Sequence, residues 1–366
     1  MEFSFIMKYK VITKDRKQAV FDEKGKQVSP EWFDYILNEG VLKGESRYYI
    51  ARKDWKYAVF DVDGKQITPW HDEILPWGLV SGDSDYYIAR NVDGEAIFYK
   101  DGTQISEWFN YVSRNGLIRN MSDCFIVQNE RNKYAIYCLD KESNKANRIS
   151  GWYLYIYEDG LVRGESKYYL ALVEKNGYAI FDKDGNQVSD LLYGIYTTGL
   201  VKGESNYYVG QEGEYEALFE VVENKSRMVI PWCNRVDDKF GLVRGQSKYC
   251  IVMKDWKQAI FDKDGNRLTE WFDAIYPYGV VNGQAGQDGY FIACRGNTFA
   301  VYHITEGKVS KDFPINLLEE GNEASVINFN VNIGIAEIIG RRSGQVKHTV
   351  EFKPVSKPTN FFKVRL

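Results

Sequence analysis

The side chains best placed to do chemistry are cations that recur one residue before a glycine, in LKGES at Leu42, VRGES at Val162, VKGES at Val201 and VRGQS at Val243. Ser81 and Asn282 hold two of the seven equivalent positions, and the other five are basic. Equivalent positions of a repeat share one rim, so these cations are expected to form an arc that attracts anionic groups or a partner. Its members are Lys43, Arg119, Arg163, Lys202 and Arg244. Alternatively, each cation pairs locally with the acidic residue that follows, for less than about 1 kcal/mol.

A second basic region lies toward the C-terminal end. Residues 322–366 carry seven basic and three acidic side chains, a balance of +4 that leaves −8 for residues 1–321. Within it, Arg341, Arg342 and Lys347 are candidates for binding a partner, because such charge asymmetry is typical of interaction tails. The alternative is a solvated hairpin face.

Other residue types give no catalytic or metal-binding pattern. The histidines His71, His303 and His348 are far apart and fall in different repeats, whereas a triad needs a nucleophile, a base and an orienting acid. The five cysteines form no CxxC pair and are expected to be reduced thiols, although Cys124 and Cys138 can face each other across neighbouring strands. We therefore expect no enzyme, no cofactor and no metal site.

These residues belong to a chain built from an internal repeat of 38 to 44 residues. Its phrase reads KQAVFDEKG at Lys17, KYAVFDVDG at Lys56, GYAIFDKDG at Gly177 and KQAIFDKDG at Lys257. The alanine of the phrase recurs as Ala19, Ala58, Ala96, Ala135, Ala179, Ala217, Ala259 and Ala300. A glycine follows about 20 residues later, as Gly40, Gly78, Gly116, Gly160, Gly199, Gly241, Gly279 and Gly321.

Each repeat is predicted to be β structure. Two alternating runs, RYYIARK at Arg47 and KYAVFDV at Lys56, are followed by an Asp63-Gly64 turn, which is a strong hairpin signal. Repeats of about 40 residues with three or four strands have the size of propeller blades. We predict an all-β fold of tandem repeats of about 39 residues, most simply a β-propeller of about eight blades, with an open twisted β-solenoid as the alternative. Residues 1–321 form the repeat domain, and 322–366 form a basic β-hairpin that is a cap or a degenerate ninth repeat.

The repeat resembles the WG-repeat (KWG-repeat) family of bacterial proteins. The resemblance lies in NGYAIFDKDGNQV at Asn176, DWKYAVFDVDGKQI at Asp54 and PYGVV at Pro277, and covers about residues 9–321. The Trp-Gly pair of the family is mostly replaced, as by Trp55-Lys56 and Trp256-Lys257. The resemblance implies a binding or surface-display module and no common catalytic residues.

Composition narrows the function further. The chain is 44% hydrophobic and 27% charged, has a net charge of −4, and shows no membrane-spanning run or signal peptide, so a cytoplasmic protein is expected. A non-catalytic scaffold that binds a protein partner fits these features. A nucleic-acid-associated protein using the cationic rim is a second hypothesis, disfavoured by the net charge. An enzyme with a channel site built from several repeats is a third, by analogy of fold alone. The sequence does not indicate any small-molecule ligand.

Overall fold

The computed structural model describes residues 8–283, 289–314, 326–340 and 343–355. Regular structure in these residues is almost entirely antiparallel strand, arranged in small sheets that follow the sequence repeats. The all-β class and the tandem repeat are therefore confirmed, whereas closure into a ring stays a prediction. Contacts divide the chain into unit 1, Met1–Leu191, and unit 2, Leu192–Leu366. The predicted boundary at residue 321 and the ladder glycine Gly321 lie outside the described residues.

We number the repeats 1 to 8 by their ladder alanine, so that unit 1 holds repeats 1 to 5. The strands of unit 1 are β1 Tyr9–Lys14, β2 Lys17–Asp22, β3 Tyr35–Ile36, β4 Tyr48–Lys53, β5 Lys56–Asp61, β6 Glu73–Ile74, β7 Tyr86–Asn91, β8 Gly94–Tyr99, β9 Tyr111–Val112, β10 Cys124–Gln128, β11 Tyr134–Asp140, β12 Lys145–Arg148, β13 Tyr155–Ile156, β14 Tyr168–Glu174 and β15 Gly177–Asp182. Short 3-10 helices cover Gly40–Lys43 and Gly116–Arg119.

Unit 2 holds repeats 6 to 8 and the tail. Its strands are β16 Gly194–Ile195, β17 Tyr207–Glu212, β18 Tyr215–Val222, β19 Lys225–Cys233, β20 Arg235–Val236, β21 Tyr249–Lys254, β22 Lys257–Asp262, β23 Ala274–Gly279, β24 Tyr290–Arg295, β25 Thr298–His303, β26 Gly307–Lys308, β27 Phe313–Pro314, β28 Val326–Asn330, β29 Ile335–Ile339 and β30 Val346–Glu351.

A typical repeat is a short first strand, a middle strand and a third strand, as in β3-β4-β5. The middle and third strands form a hairpin that turns at Asp54-Trp55, and Ala51 pairs with the ladder residue Ala58. The Asp63-Gly64 turn, predicted to make the hairpin, leads instead to a single bridge between Phe60 and Gln66. No ladder alanine is more than 1% exposed. The small side chain lies where successive sheets meet, and the residues on either side of it alternate between the two faces of the sheet.

The hydrophobic core lies between successive sheets, not inside any one of them. One cluster joins Val20 of repeat 1 to Tyr49 and Phe60 of repeat 2, and the next joins Ile50 to Tyr87 of repeat 3. A single three-stranded sheet cannot bury both of its faces, so stacking supplies the core, as in other repeat proteins.

Tryptophans near the first strand of a repeat, such as Trp32 and Trp70, are only partly buried. Trp32 and Trp70 lie over the edges of Phe21 and Phe60, at ring distances of 6.0 and 5.9 Å. The following residue, such as Phe33, forms a bridge to the preceding third strand and is fully buried. Alternation along an extended chain turns one residue inward and its neighbour outward, and the phenylalanine takes the inner place.

The tail is β structure, as expected, but has three strands, β28-β29-β30. The alternating run that begins at Ile327 turns at Gly334, where φ is +68°, and leaves Ile333 exposed on the turn. Its buried face shares one apolar cluster with repeat 8. Phe329 of the tail lies against Gly279. Within the repeats, Val281 lies against Gly241 in the corresponding way, so the tail covers the last repeat as a further repeat would.

Candidate functional site

The turns that carry the predicted cationic rim are held together by their own acidic residues. In repeat 2 the carboxylate of Glu45 accepts a hydrogen bond from the ladder Gly40 N–H at 3.1 Å. Glu165 and Glu204 cap Gly160 and Gly199 in the same way, at 2.8 and 2.9 Å. The acid of the GES phrase is therefore a cap for a backbone donor, a role that the sequence analysis did not assign.

The serine of the same phrase links one repeat to the next. Its hydroxyl donates to the carbonyl of an apolar residue in the following rim turn at 2.6 to 2.8 Å. The pairs are Ser46 to Val80, Ser84 to Ile118, Ser122 to Val162, Ser205 to Val243 and Ser247 to Val281. The signal was present in the sequence, since this serine recurs in every one of these phrases.

The structure places the predicted rim cations against local acceptors. Lys43 pairs with Glu39, and this contact raises the pKa of Lys43. Arg119 donates to Asn115 Oδ1 at 3.3 Å. Arg163 lies 3.4 Å from Asp159, and Arg244 lies 2.8 Å from Glu204 of the preceding repeat. Lys202 also has an interaction partner. Pairing of this kind reduces the field that an approaching anion would meet.

Of the three candidate tail cations, only Lys347 falls within the described residues. It is half-buried in β30 and has an interaction partner. Arg341 and Arg342 lie outside the described residues.

The expectation that every cysteine is a free thiol is wrong for one pair. Cys124 and Cys138 are direct partners in the β10–β11 ladder, with Cα atoms 4.0 Å apart, and form a disulfide. The equivalent pairs in other repeats hold no cysteine, as in Tyr48–Asp61, Tyr86–Tyr99 and Tyr207–Glu220, so the fold does not require the bond. Cys233, Cys250 and Cys294 are free and buried, and burial raises the pKa of Cys233 to about 11.

Two of the three histidines have contacts within their own units. His71 Nε2 contacts the Tyr87 hydroxyl at 3.2 Å inside unit 1, whereas His303 contacts Thr305 in unit 2. Within the described ranges, no group of three or more His, Cys, Asp or Glu side chains is positioned to hold a metal ion.

Two cavities in unit 2 have mixed linings. A groove of about 1080 Å³ lies between repeat 8 and β30, and its charged side chains balance: Glu306, Lys308, Lys311, Asp312, Glu351 and Lys353. A cavity of about 160 Å³ is lined by Arg235, Asp237 and Lys239, and burial raises the pKa of Asp237. Neither cavity favours one sign of charge strongly enough to indicate a ligand.

The most distinctive exposed group is an arginine held between two aromatic rings. The Arg52 guanidinium lies 5.6 Å from the Tyr35 ring centre and 5.2 Å from that of Trp55. Tyr35 is 42% exposed and Trp55 is 81% exposed. Strand register places Tyr35 beside Arg52, and the hairpin turn that follows β4 presents Trp55.

The backbone at this turn is unusual for tryptophan. Asp54 and Trp55 have φ values of +49° and +64°, the pattern of a two-residue turn that normally uses Asn-Gly. The Asp54 N–H is tied to Asp34 Oδ2 at 2.8 Å, which fixes the turn. A bulky residue in this conformation costs about 1–2 kcal/mol, so the exposed tryptophan does not stabilise the turn through its backbone conformation. Repeat 7 repeats the turn at Trp256, which is 83% exposed.

Further exposed tyrosines occupy the position of Tyr35 in repeats 4 and 5. Tyr111 lies beside Arg114, with 5.0 Å from the guanidinium carbon to the ring centre. Tyr155 contacts Tyr134 and Tyr157 at ring distances of 5.5 and 5.2 Å, and burial raises the pKa of Tyr157 to about 12. We call Tyr35, Trp55, Tyr111 and Tyr155, with Arg52, the aromatic row of unit 1. Nothing in the sequence distinguishes these tyrosines from the other aromatic residues of the strands, because their exposure depends on the strand register.

Comparison with known proteins adds no family. No protein-family model matches the chain, and no curated protein matches it. Among solved structures, it is similar to the computationally designed Ika8 protein, with 10% identity, a TM-score of 0.28, and 84% of this chain and 94% of that chain covered. Apo AztD from Citrobacter koseri gives 9% identity, a TM-score of 0.29 and 94% of each chain. Kluyveromyces lactis Hsv2 gives 10% identity, a TM-score of 0.28, and 84% and 97% coverage.

Proposed function

We propose that this protein is a non-catalytic repeat scaffold that binds a protein partner through the aromatic row of unit 1. The observation that carries the proposal is Trp55, exposed and held in a conformation that opposes its own stability. Tyrosine, tryptophan and arginine are the residues most enriched at the centres of protein interfaces. The resemblance to WG-repeat proteins, which are binding or display modules, supports the same function.

The second hypothesis, nucleic-acid binding through the rim, is less well supported. Lys43, Arg163 and Arg244 each have an acidic partner within the structure, and nucleic-acid binding needs cations that are available to phosphate.

Capture of partners from the native cell with matched baits tests the proposal. One bait carries Tyr35→Ser, Trp55→Ser, Tyr111→Ser and Tyr155→Ser. The control bait carries Lys43→Ala, Arg119→Ala and Arg163→Ala in the same unit. We expect a protein retained by the wild type and the rim variant to be lost from the aromatic variant, provided that both variants melt as the wild type does. Retention by the aromatic variant would contradict the proposal, and loss of nuclease-sensitive material from the rim variant would favour the nucleic-acid hypothesis.

We also propose a cytoplasmic location, in which the Cys124–Cys138 bond of the structure would be reduced. No described helix has the length and apolar character needed to cross a membrane. The Cys124–Cys138 bond makes the location testable, because disulfides rarely persist in a reducing cytoplasm. Alkylation in intact cells, followed by mass analysis, should label both thiols if the protein is cytoplasmic; a protected pair would point to an oxidising compartment.

A further inference from the structure

We propose that Arg52, between Tyr35 and Trp55, is the docking point for a carboxylate on an acidic segment of the partner protein. This inference deepens the proposed function and rests on it, because it names the chemistry of the partner at the same surface. Two other arginines of unit 1, Arg114 and Arg90, share features with Arg52 and bind carboxylates.

Arg114 shows what an arginine between aromatic rings binds in this protein. Its guanidinium lies 5.2 Å from the Trp77 ring centre and 5.0 Å from that of Tyr111. Its two terminal nitrogens donate to the two carboxylate oxygens of Glu95 at 2.6 and 2.8 Å. The rings hold the plane of the guanidinium, and its edge receives a bidentate carboxylate.

Arg90 of repeat 3 occupies the strand position that Arg52 occupies in repeat 2, and it binds two carboxylates. Arg90 pairs in register with Glu73 and Glu95, and it donates to both at 2.6 Å. In repeat 2 the same two positions hold Tyr35 and Tyr57. Tyrosines therefore stand in repeat 2 at the two positions that hold carboxylates in repeat 3.

Arg52 has two aromatic neighbours but, within the described residues, no ion pair to a carboxylate. The carboxylate of Asp34 is near enough for the charge of Arg52 to lower its pKa, after the larger effects of Lys17 and the Asp54 N–H. Among residues 8–283, 289–314, 326–340 and 343–355, no carboxylate lies within ion-pair distance of Arg52. The neighbouring Asp34 has one oxygen bound by Lys17 and the other by the Asp54 N–H. A guanidinium already oriented by its neighbours loses less conformational entropy when a carboxylate binds.

The surroundings favour a single carboxylate over a polyanion. The nearby cations Lys17, Lys53 and Lys56 are paired with Asp34, Glu31 and Asp72. A phosphate backbone needs several available cations in a row, whereas one unpaired arginine suits one acidic side chain. The exposed ring of Trp55 provides an apolar contact for the residue next to that acid.

Peptide binding provides the test. The probes are a fluorescently labelled decapeptide that alternates glutamate with leucine and phenylalanine, and its counterpart with glutamine in place of each glutamate. We expect the wild-type protein to bind the glutamate peptide about tenfold or more tightly than the glutamine peptide, as a charge-assisted contact would require. Fluorescence anisotropy at two salt concentrations measures both dissociation constants.

Two variants and one matched control locate the contact. Arg52→Gln should bind both peptides equally; it should fold, since Gln128 and Gln211 occupy the same strand position in repeats 4 and 6. Trp55→Ala should weaken the binding of both peptides. Trp256→Ala is the control, because it removes an equally exposed tryptophan from the same kind of turn, where Met253 stands in place of the arginine.

Equal binding of both peptides by the wild type, no detectable binding of either, or unchanged discrimination by Arg52→Gln would overturn the inference. Tight binding of a 20-nucleotide single-stranded DNA that depends on Arg52 would also overturn it, in favour of a polyanion. The inference and the proposed function can fail separately. A native partner whose capture depends on Trp55 but not on Arg52 would overturn the inference of an acidic segment and would leave the proposed scaffold function standing.

Discussion

Tyr49 and Tyr87 occupy the same position in consecutive repeats, but only one of them has a partner for its hydroxyl. Tyr87 contacts His71, whereas Tyr49 faces Phe33 at the corresponding place and is buried without a hydrogen bond among the described residues. Burial raises the pKa of both tyrosines. The repeat thus contains its own comparison between a satisfied and an unsatisfied buried hydroxyl.

We expect Tyr49→Phe to stabilise the protein by about 1 kcal/mol, because it removes an unpaired buried polar atom. Tyr87→Phe should instead cost about 1 kcal/mol, since it takes the partner from His71. Urea unfolding of both variants measures the difference. A loss of stability in Tyr49→Phe would show that its hydroxyl has a partner, such as a buried water.

His71 should make the stability of unit 1 depend on pH. Burial is the largest cause that lowers the pKa of His71, ahead of Lys56, while Asp72 opposes the shift. The unfolded chain therefore binds the proton more readily than the folded chain, so stability falls as pH drops through about 6.5, the ordinary histidine pKa.

The double variant His71→Phe with Tyr87→Phe should reduce that dependence. It reproduces the pair that repeat 4 uses, Phe109 and Phe125, and so should fold. Between pH 7 and pH 5, the free energy of unfolding should fall less for the variant than for the wild type. An equal loss of stability would assign the dependence to other groups, such as Glu95, where burial is outweighed by hydrogen bonds from Arg114 and Arg90 and the pKa is lowered.

At the scale of the structural element, the rim turn depends on its ladder glycine. A Cβ atom on Gly78, which has φ of +76°, would lie 2.2 Å from the Tyr86 carbonyl oxygen. Gly25 has φ of +80° and nothing within 4 Å. Gly78→Ala should therefore cost more than about 3 kcal/mol, and Gly25→Ala about 1–2 kcal/mol for the backbone conformation alone. Thermal unfolding compares them, and similar losses would show that the turn can shift to accept a side chain.

The elements could be predicted because the repeat copies the same strand pattern eight times. The Asp-Gly turns, the buried alanines and the hairpins all follow from alternation and turn chemistry. The side-chain roles could not be predicted in the same way. Glu45 and Ser46 bond to backbone atoms that folding brings near, and nothing in their spacing names those atoms.

The candidate site was harder still to predict. Arg52 and Arg90 look alike in the sequence, in YYIARK and YYIARN. Their difference lies in cross-strand neighbours, tyrosines for one and glutamates for the other, which become visible only once the register is known. Trp55 was noted as a departure from a family phrase, but its exposure comes from the turn.

For the whole molecule, the sequence predicts closure of the repeats into a ring. A compact particle of 366 residues should have a radius of gyration of about 21 Å by the usual scaling with chain length. Small-angle X-ray scattering measures this directly. A larger radius with an extended distance distribution would favour the open solenoid.

The serine links have a consequence for how such a chain arises. Each hydroxyl reaches the carbonyl of the adjoining copy, and each apolar cluster spans two adjacent sheets. If a gene gained or lost one repeat through unequal recombination, the repeats that became neighbours would therefore still form the same serine link and the same apolar cluster. Such junctions leave the other positions of each copy free to differ, as Tyr35 beside Arg52 differs from Glu73 beside Arg90.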